Sequence, residues 1–281
     1  MSTYLASMEW VNGQLRNPEV RIIDCRFIMG QLTAGKEAYK AEHIPGAYYF
    51  DLEEDMSGTI KEHGGRHPLP DAEDFAQKLG LAGVDENVTV VSYDDQGGAM
   101  ASRFWWLLQY FGHSKAYVMN GGFSQWKANG YEVTPELPAA CPRIFKPAIQ
   151  QQLVASMEEV KGKIGKEGIV LIDSRETKRY LGLEEPIDFK AGHIPSAVNH
   201  FWKDSLNDQG TWKSGKEQRE RFKGIQDSDE ILVYCGSGVT ACPNFLALKE
   251  AGYKNVRLYS GSWSDWISYP DNPIAAGRET E

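Results

Sequence analysis

Cys235 stands in VYCGSGVTAC, residues 233–242, directly after an apolar β-like run and directly before a glycine-rich turn. A thiol there could be a nucleophile, a metal ligand or packing. The ligand reading wants paired donors at close spacing. Cys235 and Cys242 are seven residues apart, and no C-x-x-C or H-x-x-H pair accompanies them, so no metal is expected. Packing is the ordinary fate of a buried cysteine. The flanking residues favour the nucleophile. Gly236 and Gly238 let the backbone fold into a ring of converging N–H groups, an anion nest. A helix expected from about Thr240, with Pro243 in its first turn, adds its positive end to the same point. Such a ring holds a sulfur anion ready for attack and would steady a departing oxyanion.

The elements that hold this turn can be read from a repeat. IIDCR at 22–26 returns as LIDSR at 171–175, and EHIPGA at 42–47 as GHIPSA at 192–197. VVSYD at 90–94 returns as ILVYC at 231–235, and NGGFSQW at 120–126 as SGSWSDW at 260–266. Asp24 to His43 spans 19 positions and Asp173 to His193 spans 20, but His43 to Asp94 is 51 against 42 from His193 to Cys235. The chain is therefore written twice, and the first copy carries about nine extra residues within MSGTIKEHGGRHPLP. The proline-rich stretch 134–149 lies between the copies, which places domains at 1–134 and 151–281 with a linker at 135–150.

Within each copy RIIDC, VTVVSY, IVLID and EILVY read as buried strands, and AMASRFWWLLQYFG and VTACPNFLALKEAG as helices closed by glycine. Alternating strand and helix implies two α/β domains, each a mostly parallel sheet with helices on both faces. Ligands of such sheets bind beyond the carboxyl ends of the strands, where Cys235 falls. Asp94 occupies the matching place in the first copy, so that copy is expected to be degenerate.

A net charge of −9 argues against nucleic acid or an anionic membrane as partner, and leaves room for a small anion in a local positive pocket. The start MSTYLASMEW has neither the basic nor the apolar region of a secretion signal, and the longest apolar run, FWWLL, cannot span a membrane. With four cysteines and no signal, the expectation is reduced thiols in a cytoplasmic protein.

The repeated D-x-R, HIP-[GS]-A and G-x-[FW]-S-x-W elements, together with the loop CGSGVT, resemble the tandem-domain rhodanese family of thiosulfate and 3-mercaptopyruvate sulfurtransferases. The resemblance covers nearly the whole chain, and the six-residue loop is of the mercaptopyruvate type. It implies that Cys235 takes sulfur from a small anionic donor as a persulfide and passes it to a thiol such as thioredoxin, or to cyanide, without a cofactor. It further implies that Gly236, Ser237, Gly238, Val239 and Thr240 bind the donor, with Arg179 in SRETKRYLG contacting its anionic group. Ser237 and His67 would relay a proton, with Glu53 as the acidic partner of His67. Mercaptopyruvate-type members carry a second arginine where this chain has Ile187 in EEPID, so the resemblance implies either weaker carboxylate binding or a second cation from another residue such as Lys190. Asp173 with Arg175, Asp24 with Arg26, His43 and His193 read as structural. Trp105, Trp126, Trp263 and Trp266 read as core, with Trp263 also a candidate for the pocket mouth.

Two rival functions share the cysteine. A phosphatase loop needs an arginine six positions after the nucleophile, where this chain has Ala241. A sulfur-relay or redox-sensing module would use the same Cys235 to accept persulfide from a partner protein, without turning over small donors.

Overall fold

The computed structural model describes residues 4–278. The chain forms two compact units, which are not contiguous in sequence. The first comprises the chain up to Gly58, Leu69–Gln150 and Leu206–Trp212; the second comprises Thr59–Pro68, Gln151–Ser205 and the chain from Lys213 onward. Two departures from a simple division into halves follow. The extra residues of the first copy, 59–68, fold with the second unit, and residues 135–150 lie along the first unit rather than spanning free. In the latter stretch Arg143 N–H donates to Gly80 O at 2.8 Å and Ala148 N–H to Phe111 O at 2.9 Å.

In the first unit the strands are β1 (Leu5–Ser7), β2 (Val20–Asp24), β3 (Tyr48–Tyr49), β4 (Thr89–Tyr93) and β5 (Ala116–Asn120). Its helices are α1 (Met8–Gln14), α2 (Ala34–Ala41), α3 (Ala72–Leu81), α4 (Ala99–Tyr110) and α5 (Phe123–Ala128). The sheet runs β1-β5-β4-β2-β3, every pair parallel. The second unit holds β6 (Ile169–Asp173), β7 (Ala197–Asn199), β8 (Glu230–Tyr234) and β9 (Val256–Leu258) in the parallel order β7-β6-β8-β9. Its helices are α6 (Met157–Lys163), α7 (Thr177–Tyr180), α8 (Gly215–Arg221), α9 (Cys242–Glu250) and α10 (Ser262–Trp266).

The four predicted strands are β2, β4, β6 and β8. Ile231, Leu232, Val233 and Tyr234 of β8 are all at most 1% exposed. Successive strand residues point to opposite faces, so both faces of this sheet are covered, which is why the run is continuously apolar rather than alternating. The predicted helices are α4 and α9, and each is followed by a left-handed glycine, Gly112 at φ 89° and Gly252 at φ 91°. The α9 helix begins at Cys242, two residues later than expected, because Gly238 at φ 79° extends the turn before helical geometry is reached. In the second sheet the chain order reverses between β6 and β8, the crevice where parallel sheets bind their ligands. Among the described residues no helix is long and apolar enough to cross a membrane.

Candidate active site

Cys235 follows the last residue of β8 and is 1% exposed. Its N–H donates to Ser262 Oγ at 3.1 Å, and its carbonyl accepts from Trp263 N–H at 2.9 Å. Ser262 reaches that position with φ at 56°, an unusual conformation for a residue with a side chain, and its own hydroxyl donates to Tyr259 O. Gly238 is the position where no other residue fits: a Cβ there would lie 2.1 Å from Ser260 O. Cys242 donates its thiol to Gly238 O at 3.3 Å and so ties the turn to α9. Among the described residues the amides of Ser237, Val239 and Thr240 donate to no protein acceptor.

The first copy shows what such a turn takes up. Asp94, 1% exposed at the end of β4, accepts N–H bonds from Gln96, Gly98, Met100 and Ala101 at 2.8 to 3.0 Å. Burial pushes its carboxyl up from the ordinary value and the amides pull it back. The ring of donors is thus filled by the chain's own carboxylate. Trp212 covers the same turn, its ring 2.9 Å from where a Cβ on Gly98 would stand.

His67 and Ser237 meet in the second unit, Nδ1 to Oγ at 2.7 Å, both buried. Glu53 belongs to the first unit, where it is exposed and its N–H donates to Asp51 Oδ1 at 2.8 Å. Residues 63–66, which lead up to His67, are fastened to α10 and the turn that follows it. His63 Nδ1 lies 2.8 Å from Ser268 Oγ, Gly64 N–H donates to Asp265 Oδ1 at 2.7 Å, and Arg66 N–H donates to Ser264 Oγ at 3.1 Å. Gly65, at φ 80°, passes so close to Gly261 that an added Cβ would lie 2.4 Å from its carbonyl.

Arg179 reaches the loop as expected, its Nη atoms 3.6 and 3.7 Å from the Cβ position of Gly236. A second guanidinium that sequence reading missed lies closer. Arg66 Nη2 is 3.0 Å from the same point. Burial holds the Arg66 guanidinium below its ordinary value, the Cys235 sulfur offsets this, and Arg179 adds to it. Lys190 instead sets its ammonium 5.8 Å from the Phe189 ring. The signal for Arg66 was the length difference between the copies, since the extra residues carry this arginine beside His67.

The cations are held by acids. Arg175 pairs with Asp173 at 2.6 Å and with Glu185 at 3.2 Å. Arg179 pairs with Glu185 at 2.7 Å and with Asp188 at 3.0 Å, and Arg66 closes the row by pairing with Asp188. The D-x-R residues are structural in both copies, Arg26 binding Asp24 at 2.7 Å as Arg175 binds Asp173. His43 and His193 each place Nδ1 2.7 Å from a tyrosine carbonyl. Trp263 is fully buried beneath the Arg175 guanidinium, so it belongs to the core and not to a pocket mouth.

Residues 7–129 and 156–269 each match the family described as Rhodanese-like domain. The chain belongs to the rhodanese family. It is 38% identical to a Pseudomonas aeruginosa protein described as a probable 3-mercaptopyruvate sulfurtransferase, over 98% of this chain and 99% of that one. It is 32% identical to the thiosulfate sulfurtransferase of Rattus norvegicus, over 98% of this chain and 96% of the other. Among solved structures, SseA from Escherichia coli, described as a 3-mercaptopyruvate sulfotransferase with the rhodanese fold, superposes with a TM-score of 0.82 at 30% identity. That match covers 94% of this chain and all of SseA. The chain is a sulfurtransferase with two rhodanese domains.

Proposed function

We propose that Cys235 accepts sulfane sulfur from a small anionic donor, 3-mercaptopyruvate ahead of thiosulfate, and hands it to a thiol. The thiolate attacks the donor sulfur, an S–S bond forms, and the C–S bond of mercaptopyruvate breaks with its electron pair left on carbon. The resulting enolate takes a proton and leaves as pyruvate. With thiosulfate the S–S bond breaks and sulfite leaves carrying the pair, with no proton required. An acceptor thiolate then attacks the outer sulfur of the persulfide and restores the Cys235 thiolate. A reduced thioredoxin is the acceptor this reading favours, in a reducing compartment such as the cytoplasm.

The observation that carries the reading is the 2.7 Å contact of His67 and Ser237 beside the open amides of the Cys235 turn. The amides would hold the developing negative charge. The imidazole and hydroxyl would deliver the proton an enolate needs and sulfite does not. Gly236, Val239 and Thr240 complete the cradle, and Arg179 binds the donor's anionic group.

Steady-state transfer to cyanide from each donor is the test. Cys235→Ser abolishes both activities and the protein persulfide seen by mass spectrometry. His67→Ala slows mercaptopyruvate turnover by about 100-fold and thiosulfate turnover far less. Equal slowing of both donors removes His67 from the relay. A stable Cys235 persulfide without turnover of either donor moves the protein-to-protein relay to first place.

A further inference from the structure

Resting on the sulfur-transfer reading, we propose that Arg66 is a specificity-determining residue that closes on the donor's carboxylate together with Arg179, across Gly236. The segment that would bring a second arginine to this loop brings Ile187 instead, 47% exposed, and two buried acids, Glu185 and Asp188. Those acids orient cations supplied from elsewhere. Asp188 holds Arg66 by Nη1 only, and Glu185 and Asp188 hold Arg179 by Nε and Nη2. Among the described residues Arg66 Nη2 and Arg179 Nη1 have no protein acceptor. They lie 3.0 and 3.7 Å from the point where a side chain at 236 would begin. A glycine leaves that point open. An oxygen placed there hydrogen-bonds Arg66 and stands just beyond bonding distance of Arg179.

Each guanidinium is therefore gripped along one edge and presents another. Two planar forks anchored in this way suit the two oxygens of a carboxylate. Arg66 is also no loose surface arginine, because the bonds of Gly64 and Arg66 to α10, that of His63 to Ser268 just after it, and the close passage of Gly65 fix its backbone. Charge sets the ligand class as well. Arg66, Arg175 and Arg179 are already balanced by Asp173, Glu185 and Asp188, so a singly charged carboxylate enters at lower electrostatic cost than a dianion.

The experiment compares wild type with R66A, R66Q and R66K. The expected result is a KM for 3-mercaptopyruvate raised by about 10- to 100-fold in R66A and R66Q with little change in kcat. R66K recovers part of the loss, and the KM for thiosulfate rises less. Calorimetric binding of pyruvate to the Cys235→Ser protein weakens by a similar factor when Arg66 is also replaced by Gln. An equal rise for both donors overturns the carboxylate assignment, and unchanged KM and unchanged pyruvate binding overturn the role of Arg66. The pyruvate measurement needs no turnover. Arg66-dependent pyruvate binding in a protein that transfers no sulfur would leave the clamp standing and sink the sulfur-transfer reading. Normal transfer with Arg66-independent KM would do the reverse.

Discussion

Asp94 and Cys235 end equivalent strands and face equivalent turns, and the difference between them is one of occupancy. The carboxylate takes up four backbone donors itself, whereas beside the thiol the amides of Ser237, Val239 and Thr240 have no protein acceptor among the described residues. Asp94 is thus a structural anion in the first copy. Replacing it with alanine strands four donors around a buried void. Asp94→Ala should cost about 3 kcal/mol in urea denaturation, with Asp94→Asn intermediate because it keeps one acceptor oxygen. A loss below about 0.5 kcal/mol would show that the amides find other partners. The sequence marked both positions, since the repeat aligned them. It did not show that the carboxylate was satisfied locally, because that depends on four backbone directions set by the turn.

At the level of elements, the turn between β8 and α9 depends on two glycines for different reasons. Gly238 is left-handed and faces Ser260 O, whereas Gly236 faces the two guanidinium tips. Gly238→Ala should therefore cost stability as well as activity, with a loss of about 2 kcal/mol and turnover reduced by about 100-fold. Gly236→Ala should fold normally and raise the donor KM, since its methyl group fills the donor's space. Thermal unfolding with kinetics on both variants separates the two, and equal destabilisation would sink the distinction. Strands, helix ends and the catalytic turn were legible because each rests on local pattern: apolar runs, glycine after a helix, a cysteine between. Arg66 was not, because residues 59–68 carry no period of their own. Nothing local says that they fold with the second unit.

At the scale of the whole molecule, His200 makes one contribution to acid sensitivity. Burial pushes its imidazole down to about 4, and Arg221 pushes it the same way. The native state keeps this ring neutral, while the unfolded chain takes up a proton near the ordinary histidine value. The contribution of this ring is thus complete above about pH 6.5 and is lost as the pH drops toward about 4, by up to roughly 3 kcal/mol. In urea titrations at pH 7 and pH 4.5, His200→Phe should lose about 2 kcal/mol less than wild type between the two. Identical losses would place the acid sensitivity elsewhere. The tandem architecture itself was readable from sequence, and the family match over 7–129 and 156–269 agrees with it. The reassignment of 59–68 and 206–212 between units was not, because chain crossing leaves no compositional trace.

That crossing ties the second copy to a piece of the first. Cys235 lies in the second half of the sequence, but His67 and Arg66, which belong to the same folded unit, lie in the first. A transcript trimmed to the second copy would keep Cys235 and forfeit both of them. The first copy, whose own turn is filled by Asp94, supplies the ten residues of Thr59–Pro68 to the second unit.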